Sequence, residues 1–353
     1  MRILIVTDAW FPQINGVVRT LSTVANELRH MGHDVCVIGP HRFRTIPCPT
    51  YPDIRLAVDA HSKLPKLIES YEPDAIHIST EGPLGFTAQR HCRRKGRAFT
   101  TAYHTKFPEY IEARTRIPPS WTYRIMRWFH AAAARVMVST GSIESELRRN
   151  GFHNIVRWSR GVDTTLFRPR DKGFFGDPRP IALYVGRVAV EKNIGAFLDL
   201  PFDGTKIVVG DGPQLRPLRR RYPQVRFVGM KTGEDLANHY AASDVFVFPS
   251  RTDTFGLVLL EALAAGIPVA AYPVAGPLDV IGDAPVGCLH EDLAIAVREA
   301  LKLSPAACRD HALRFSWRNS AEQFLRNLVP MTGARAAVAP EPPAAAAPNS
   351  INS

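Results

Sequence analysis

The sequence predicts an α/β protein of two doubly wound, Rossmann-like domains facing a central cleft. Three observations carry this. Short apolar runs alternate with stretches of helical periodicity, the pattern of a mostly parallel sheet covered by helices on both faces. The alternation occurs twice, on either side of SRGVDTTLFRPRDKGFFGDPRP, a stretch rich in Pro, Gly and charge. The length of 353 residues suits about two domains.

RILIVT reads as a buried strand, DAWFPQINGVVRTLSTVANELRHMGH as loop then helix stopping near Gly32, and DVCVIGP as the next strand. IRLAV, AIHIS, AFTTAYH and RVMVS follow as strands, with LPKLIESY and PLGFTAQRHCRRKG as helices between some of them. These segments make a first domain over 1–160. A linker over 161–180 leads to a second domain over 181–330, with strands IALYVGR, TKIVVGDGP, VRFVGM, DVFVFPS and PVAAYP. The Ala/Pro-rich end, 331–353, reads as a disordered tail.

An apolar fraction of 45% and a charged fraction of 22% are ordinary for a globular chain; a net charge of +11 is not, and it calls for an acidic partner. Five scattered cysteines without a C-x-x-C argue against a disulfide framework or a zinc site and for a reducing cytosol. The first residues read as a strand, not a signal peptide, and the most apolar long run, 257–276, is broken by Glu261, Pro268 and Pro273. No spanning helix is expected.

Ligands of open α/β sheets bind beyond the carboxyl ends of the strands, so the residues just after strands matter most. In PSRTDTFGLVLLEALAAG a strand gives way to a loop and then to a nearly all-apolar helix. The amides of Phe255, Gly256, Leu257 and Val258 would lie at that helix start, where unpaired N–H groups and the helix dipole attract an anion. Glu261 stands one turn inside. A buried carboxylate needs partners, and ribose hydroxyls would serve; the alternative is a half-exposed, ion-paired Glu261, with Asp253 as the helix N-cap. In YVGRVAVEKN, Arg187 and Lys192 follow a strand and suit a diphosphate, or are a solvated pair. Gly212, in VVGDGPQ, lets the backbone approach a ligand such as the donor, though the composition is common in turns. Gly16 lies in the first strand-to-helix loop, which lacks G-x-G-x-x-G and so does not predict a dinucleotide site. His104 follows the AFTTAY strand, where it would face the cleft; the alternative is a structural histidine.

GRVAVEKN, GDGP, RGVD, the two carboxylates eight residues apart and the opening TDAWFPQINGVVRTL together resemble the family 4 retaining glycosyltransferases of GT-B fold, over about residues 1–325. The resemblance implies that Arg187 and Lys192 hold the donor diphosphate, Glu261 the nucleotide ribose, and Asp253 and His104 the transferred sugar. It implies that Gly16 and the amides of 255–258 flank the phosphates. Asp253 departs from the family's usual Glu by one methylene. The resemblance further implies transfer with retention, the leaving phosphate accepting the acceptor's proton. No D-x-D occurs, so no metal is expected, and no cofactor. The base pocket is expected around Met230 and Lys231.

From Arg90 to Arg135 stand eleven Lys/Arg and two acids. Arg116, Arg124 and Arg127 interleave with Trp121 and Trp128, as in a segment lying on anionic lipid; the alternative is a solvated helix with a core-facing aromatic stripe. No nucleic-acid module is present. The chain is therefore expected to be cytoplasmic and peripheral on the inner face of the cell membrane. It is similar to glycolipid-forming members of the family, which implies transfer of glucose or glucuronic acid from a UDP-sugar to diacylglycerol, or else of mannose from GDP-mannose to a lipid or polysaccharide.

Overall fold

The structure, a computed structural model, describes residues 1–13, 15–48, 51–104, 119–253 and 255–331. Its first sheet is built from β1 (Arg2–Val6), β2 (Asp34–Ile38), β5 (Ala75–Ile78), β6 (Thr100–Tyr103), β7 (Arg135–Val138) and β8 (Ile155–Arg157). All its pairings are parallel, in the order β2-β1-β5-β6-β7-β8. The second sheet contains β9 (Ile181–Val185), β10 (Thr205–Val209), β11 (Arg226–Gly229), β12 (Val245–Phe248), β13 (Val269–Ala271) and β14 (Gly287–Leu289). It is also parallel, in the order β11-β10-β9-β12-β13-β14. Strands buried on both faces are continuously apolar, and ILIV of β1, VFVF of β12 and VAA of β13 are fully buried.

Helices cover both faces: α1 (Gly16–His30), α2 (Ala60–Tyr71), α3 (Pro83–Arg94), α4 (Pro119–His130), α5 (Gly141–Arg149), α6 (Ile194–Leu198), α7 (Leu215–Arg221), α8 (Gly233–Ala241), α9 (Leu257–Ala264), α10 (Ala275–Ile281), α11 (Leu293–Ala300), α12 (Pro305–Ala312) and α13 (Trp317–Asn327). Strand order reverses direction between β1 and β5 in one sheet, and between β9 and β12 in the other. Crossovers leave opposite faces at such a point, and a crevice opens beyond the strand ends.

The structure corrects several expectations. IRLAV does not join the parallel sheet. It lies in β4 (Tyr51–Ala57), antiparallel to β3 (Thr45–Cys48), because the two segments are too close in sequence for a parallel crossover. The short strands β8 and β14, with three residues each, carry too little pattern to be read from sequence. Phe167, expected in a linker, is fully buried in the second core against Tyr240. The last helix, expected with the second domain, packs on the first sheet. Trp317, Ala321 and Phe324 join Ile3, Ile5, Leu21 and Trp158 in one core. Trp158 Nε1 donates to Ser320 Oγ at 3.1 Å, and the Ser159 amide to Gln323 Oε1 at 2.8 Å. An amphipathic helix must bury its apolar stripe, and the first sheet offers the uncovered face.

None of the five cysteines, all among the described residues, is in a disulfide. Among the described residues no helix is long and apolar enough to cross a membrane. The 332–353 tail lies outside the described residues.

Candidate active site

At the switch point of the second sheet, the loop after β9 carries Arg187 and Lys192 and the loop after β12 carries Asp253. Lys192 Nζ donates to Asp253 Oδ1 at 2.5 Å. Backbone contacts hold the loops in place. Asn193 adopts φ 50° and donates its side-chain amide to Pro249 O at 3.1 Å, while Thr252 Oγ1 donates to Glu191 O at 3.3 Å. The Tyr184 hydroxyl donates to Arg187 O at 2.8 Å. The close approach expected at Gly212 is to protein: a Cβ there would stand 2.4 Å from Val188 O, so the GDGP turn packs directly on the Arg187 loop.

Gly256 precedes α9 in the left-handed region, φ 80°, which an L side chain rarely adopts. It is the helix N-cap, without a side-chain hydrogen bond. Asp253 is therefore not the cap, and among the described residues no side chain caps the first amides of α9. Phe255 is buried, while Gly256, Leu257 and Val258 are half-buried at the helix start. Glu261 is 2% exposed. Its Oε1 pairs with Arg19 of α1, so this ion pair crosses the cleft. The Tyr240 hydroxyl lies against Glu261 outside good hydrogen-bond geometry; burial, then the Glu261 charge, pushes its pKa well above the ordinary value. Gly16 opens α1 opposite, with Asn15 Oδ1 accepting from the Val17 and Val18 amides at 3.0 Å each. A Cβ on Gly16 would stand 3.8 Å from Leu257 Cδ1, so the two helix starts abut.

The two carboxylates share one arrangement. Each has one oxygen held by a cation from another loop or helix. In each the second oxygen, Asp253 Oδ2 and Glu261 Oε2, is buried without a well-formed hydrogen bond among the described residues. Such oxygens accept from hydroxyl donors of a ligand.

His104 follows β6 and packs edge-on against Trp158, with ring centroids 5.7 Å apart. Arg160 Nη2 donates to its Nδ1 at 3.4 Å, which assigns the ring proton to Nε2. Burial, then Arg160, holds the His104 pKa well below the ordinary value, so the ring is neutral. Arg160 itself is 4% exposed, stacked 4.1 Å from the Trp158 ring, and burial pushes its pKa down to about 9. Asp8, the carboxylate just after β1, is taken up by structure. It accepts from the Leu84 and Gly85 amides at 2.8 and 3.2 Å and from Thr80 Oγ1 at 2.9 Å, anchoring the start of α3. Burial raises its pKa to about 6 against these hydrogen bonds.

On α4 the aromatic residues divide between two faces. Tyr123, Met126 and Phe129 point into the first core. Trp121, Ile125 and Trp128 are 71%, 55% and 54% exposed, at i, i+4 and i+7 on the outer face. Arg124 and Arg127 are exposed beside them, and Arg93 lies 5.8 Å from the Trp128 ring centre. Arg116 lies outside the described residues. At the expected base pocket, Met230 is 50% exposed and Lys231 pairs with Asp235 at 2.9 Å.

The sequence reading missed Arg19, Arg160 and Tyr240. Arg160 stands inside RGVD, a quoted motif, and could have been weighed there. Arg19 stands inside the quoted opening TDAWFPQINGVVRTL and could have been weighed likewise, whereas Tyr240 gave no local signal, since only the tertiary fold brings it to Glu261.

The family model described as Glycosyltransferase Family 4 matches residues 14–166, and that of Glycosyl transferases group 1 matches 179–303. The chain is 31% identical to a GDP-mannose-dependent alpha-mannosyltransferase of Mycobacterium tuberculosis, over 80% of this chain and 81% of that one. It is 29% identical to an alpha-monoglucosyldiacylglycerol synthase of Streptococcus pneumoniae, over 92% and 83% of the two chains. A crystal structure of Anabaena Alr3699/HepE in complex with UDP and glucose superposes with a TM-score of 0.71 at 16% identity, covering 92% of this chain and 98% of that one. With the two facing parallel sheets, these matches show that the chain belongs to the family 4 glycosyltransferases and has the GT-B fold.

Proposed function

We propose that this glycosyltransferase moves a hexose, glucose or glucuronic acid, from a UDP-sugar to diacylglycerol at an anionic membrane surface, with retention at the anomeric carbon. One observation carries the lipid acceptor: the outward Trp121–Ile125–Trp128 stripe, flanked by Arg124 and Arg127, on the first sheet's side of the cleft. Indole rings settle at the headgroup level, and each basic residue near an anionic surface adds about 1 kcal/mol. The name of the streptococcal relative supports the same acceptor class.

In this reading the donor lies at the second sheet's switch point. Arg187, Lys192 and the open amides of α9 receive the diphosphate. Glu261 accepts from the ribose hydroxyls, and Asp253 from a sugar hydroxyl through Oδ2. Neutral His104 presents its Nε2–H as a donor towards the sugar. The acceptor oxygen bonds to the anomeric carbon on the face from which the diphosphate leaves, and its proton passes to the departing phosphate oxygen. Fixed cations and amides stabilise the charge developing on the diphosphate, a role that elsewhere falls to a metal, so turnover continues in chelator. The proposed division is a first domain, residues 1–160, for the acceptor and a second from 181 for the donor, with α13 returning to the first. The enzyme would lie on the inner membrane face and take no nucleic acid.

A second reading is transfer of mannose from GDP-mannose, favoured by the 31% identity to the mycobacterial mannosyltransferase. The test incubates the chain with labelled UDP-glucose, UDP-glucuronate, UDP-galactose and GDP-mannose, in EDTA, with anionic vesicles containing diacylglycerol. Label entering lipid from a UDP-sugar supports the first reading; label from GDP-mannose alone supports the second.

A further inference from the structure

Two helices begin against each other across the cleft, and each carries a charge one turn in. Arg19 of α1 and Glu261 of α9 have opposite signs and are paired. Their environments differ: the Glu261 side chain is 3% exposed and that of Arg19 38%. Arg19 lies 5.3 Å from the Phe167 ring centre, and it lines one narrow crevice with Glu261, Leu257, Gly161 and Trp317.

We infer that Arg19 is a donor-positioning residue that the ribose hydroxyls displace from Glu261 and that then closes on the diphosphate. The inference rests on the reading of this cleft as a nucleoside diphosphate-sugar site. A ribose diol needs both carboxylate oxygens, and Arg19 occupies Oε1, so the ion pair must open for the diol to bind. The released guanidinium does not return to bulk water. Its helix starts at Gly16, against the start of α9, whose first amides carry no side-chain cap among the described residues and attract an anion. A planar cation on that spot matches a phosphate edge. Binding thus exchanges one counter-charge for another. A nucleoside alone breaks the ion pair and returns nothing to Arg19, whereas a nucleoside diphosphate supplies the replacement. Arg19 therefore sets the preference for diphosphate over bare nucleoside.

A second cross-cleft contact provides the control. Asp279 of α10 accepts from the Gly141 and Ser142 amides at the start of α5, at 2.9 and 3.2 Å, away from Glu261. Cutting it loosens the cleft without altering the exchange at Glu261.

The test is calorimetric titration of the full chain with uridine, UDP, guanosine and GDP, in wild type, Arg19→Gln, Arg19→Lys and Asp279→Ala. For the base that wild type accepts, Arg19→Gln is expected to bind the nucleoside about threefold tighter and the diphosphate about tenfold weaker, the size of a hydrogen bond to a charged group. Arg19→Lys keeps most of the diphosphate preference. Asp279→Ala shifts both ligands by one common factor. Arg19→Gln shifting both ligands equally, or neither, overturns the role of Arg19 while leaving the nucleotide site standing. Wild type binding none of the four overturns both.

Discussion

Lys192 Nζ and Asp253 Oδ1 stand 2.5 Å apart, each on a loop from one of the two central strands of the second sheet. Lys192 has Glu191 beside it in sequence, yet its ammonium is taken up by Asp253, 61 residues further on. The pair forms because β9 and β12 are adjacent, and it places a cation and an acceptor oxygen at the same crevice.

Lys192→Ala removes the cation and leaves Asp253 uncompensated. Turnover at saturating donor is expected to fall about 100- to 1000-fold, the size of losing one preorganised charge-stabilising group. Normal turnover in single-turnover and steady-state assays would remove Lys192 from the diphosphate site.

Glu261→Ala deletes the proposed ribose acceptor. The donor dissociation constant should rise about tenfold or more, as for a hydrogen bond to a charged group left unmade. The freed Arg19 is partly exposed and water can solvate it, so the thermal midpoint should move little. Titration with the donor nucleotide and calorimetric melting together check this, and an unchanged dissociation constant would rule out the ribose contact.

Asp8 makes stability depend on pH. Its folded pKa of about 6 lies above the ordinary 3.8, so its contribution is complete below about pH 4 and is lost as pH rises through 6. The rise corresponds to about 3 kcal/mol at an order-of-magnitude level. Asp8→Asn cannot ionise, so between pH 4 and 7.5 its stability should gain on that of wild type by up to that amount. Urea unfolding of both proteins at the two pH values reads the change; a constant gap would show that burial does not hold the carboxyl up.

Replacing Trp121 and Trp128 together by Ser removes two indoles that are each more than half exposed, Trp128 resting partly on Phe86 and Arg93, so melting should fall only slightly. Binding to anionic vesicles should weaken at least tenfold, the loss of roughly 1.5 kcal/mol or more of apolar burial. Flotation of both proteins with vesicles, at low and high salt, checks this. Equal flotation would place the membrane contact elsewhere.

Much of the site was legible before any fold was known. GRVAVEKN and TDTFGLVLLE each put chemistry at a strand end or a helix start, and an apolar helix interrupted by Glu261 has few explanations. Gly212 was expected to approach a ligand; the close approach in the structure is to Val188 O, in another loop of the protein. The aromatic stripe near 121–129 admitted an inward and an outward reading. The structure divides it, Phe129 inward and Trp128 outward, because successive residues on a helix are about 100° apart.

By itself the sequence determined the two strand-helix series, the positions of Arg187, Lys192 and Asp253 in loops after strands and of Glu261 inside the following apolar helix, and the basic aromatic segment. Apolar periodicity and turn composition act over a few residues and are written locally. Only the tertiary structure decided that β3 and β4 form a hairpin, that α13 returns to the first sheet, and that Arg19 meets Glu261 from 242 residues away. Those outcomes depend on which apolar face remains uncovered and which charge remains unpaired once the chain has folded, and neither is a property of any short stretch.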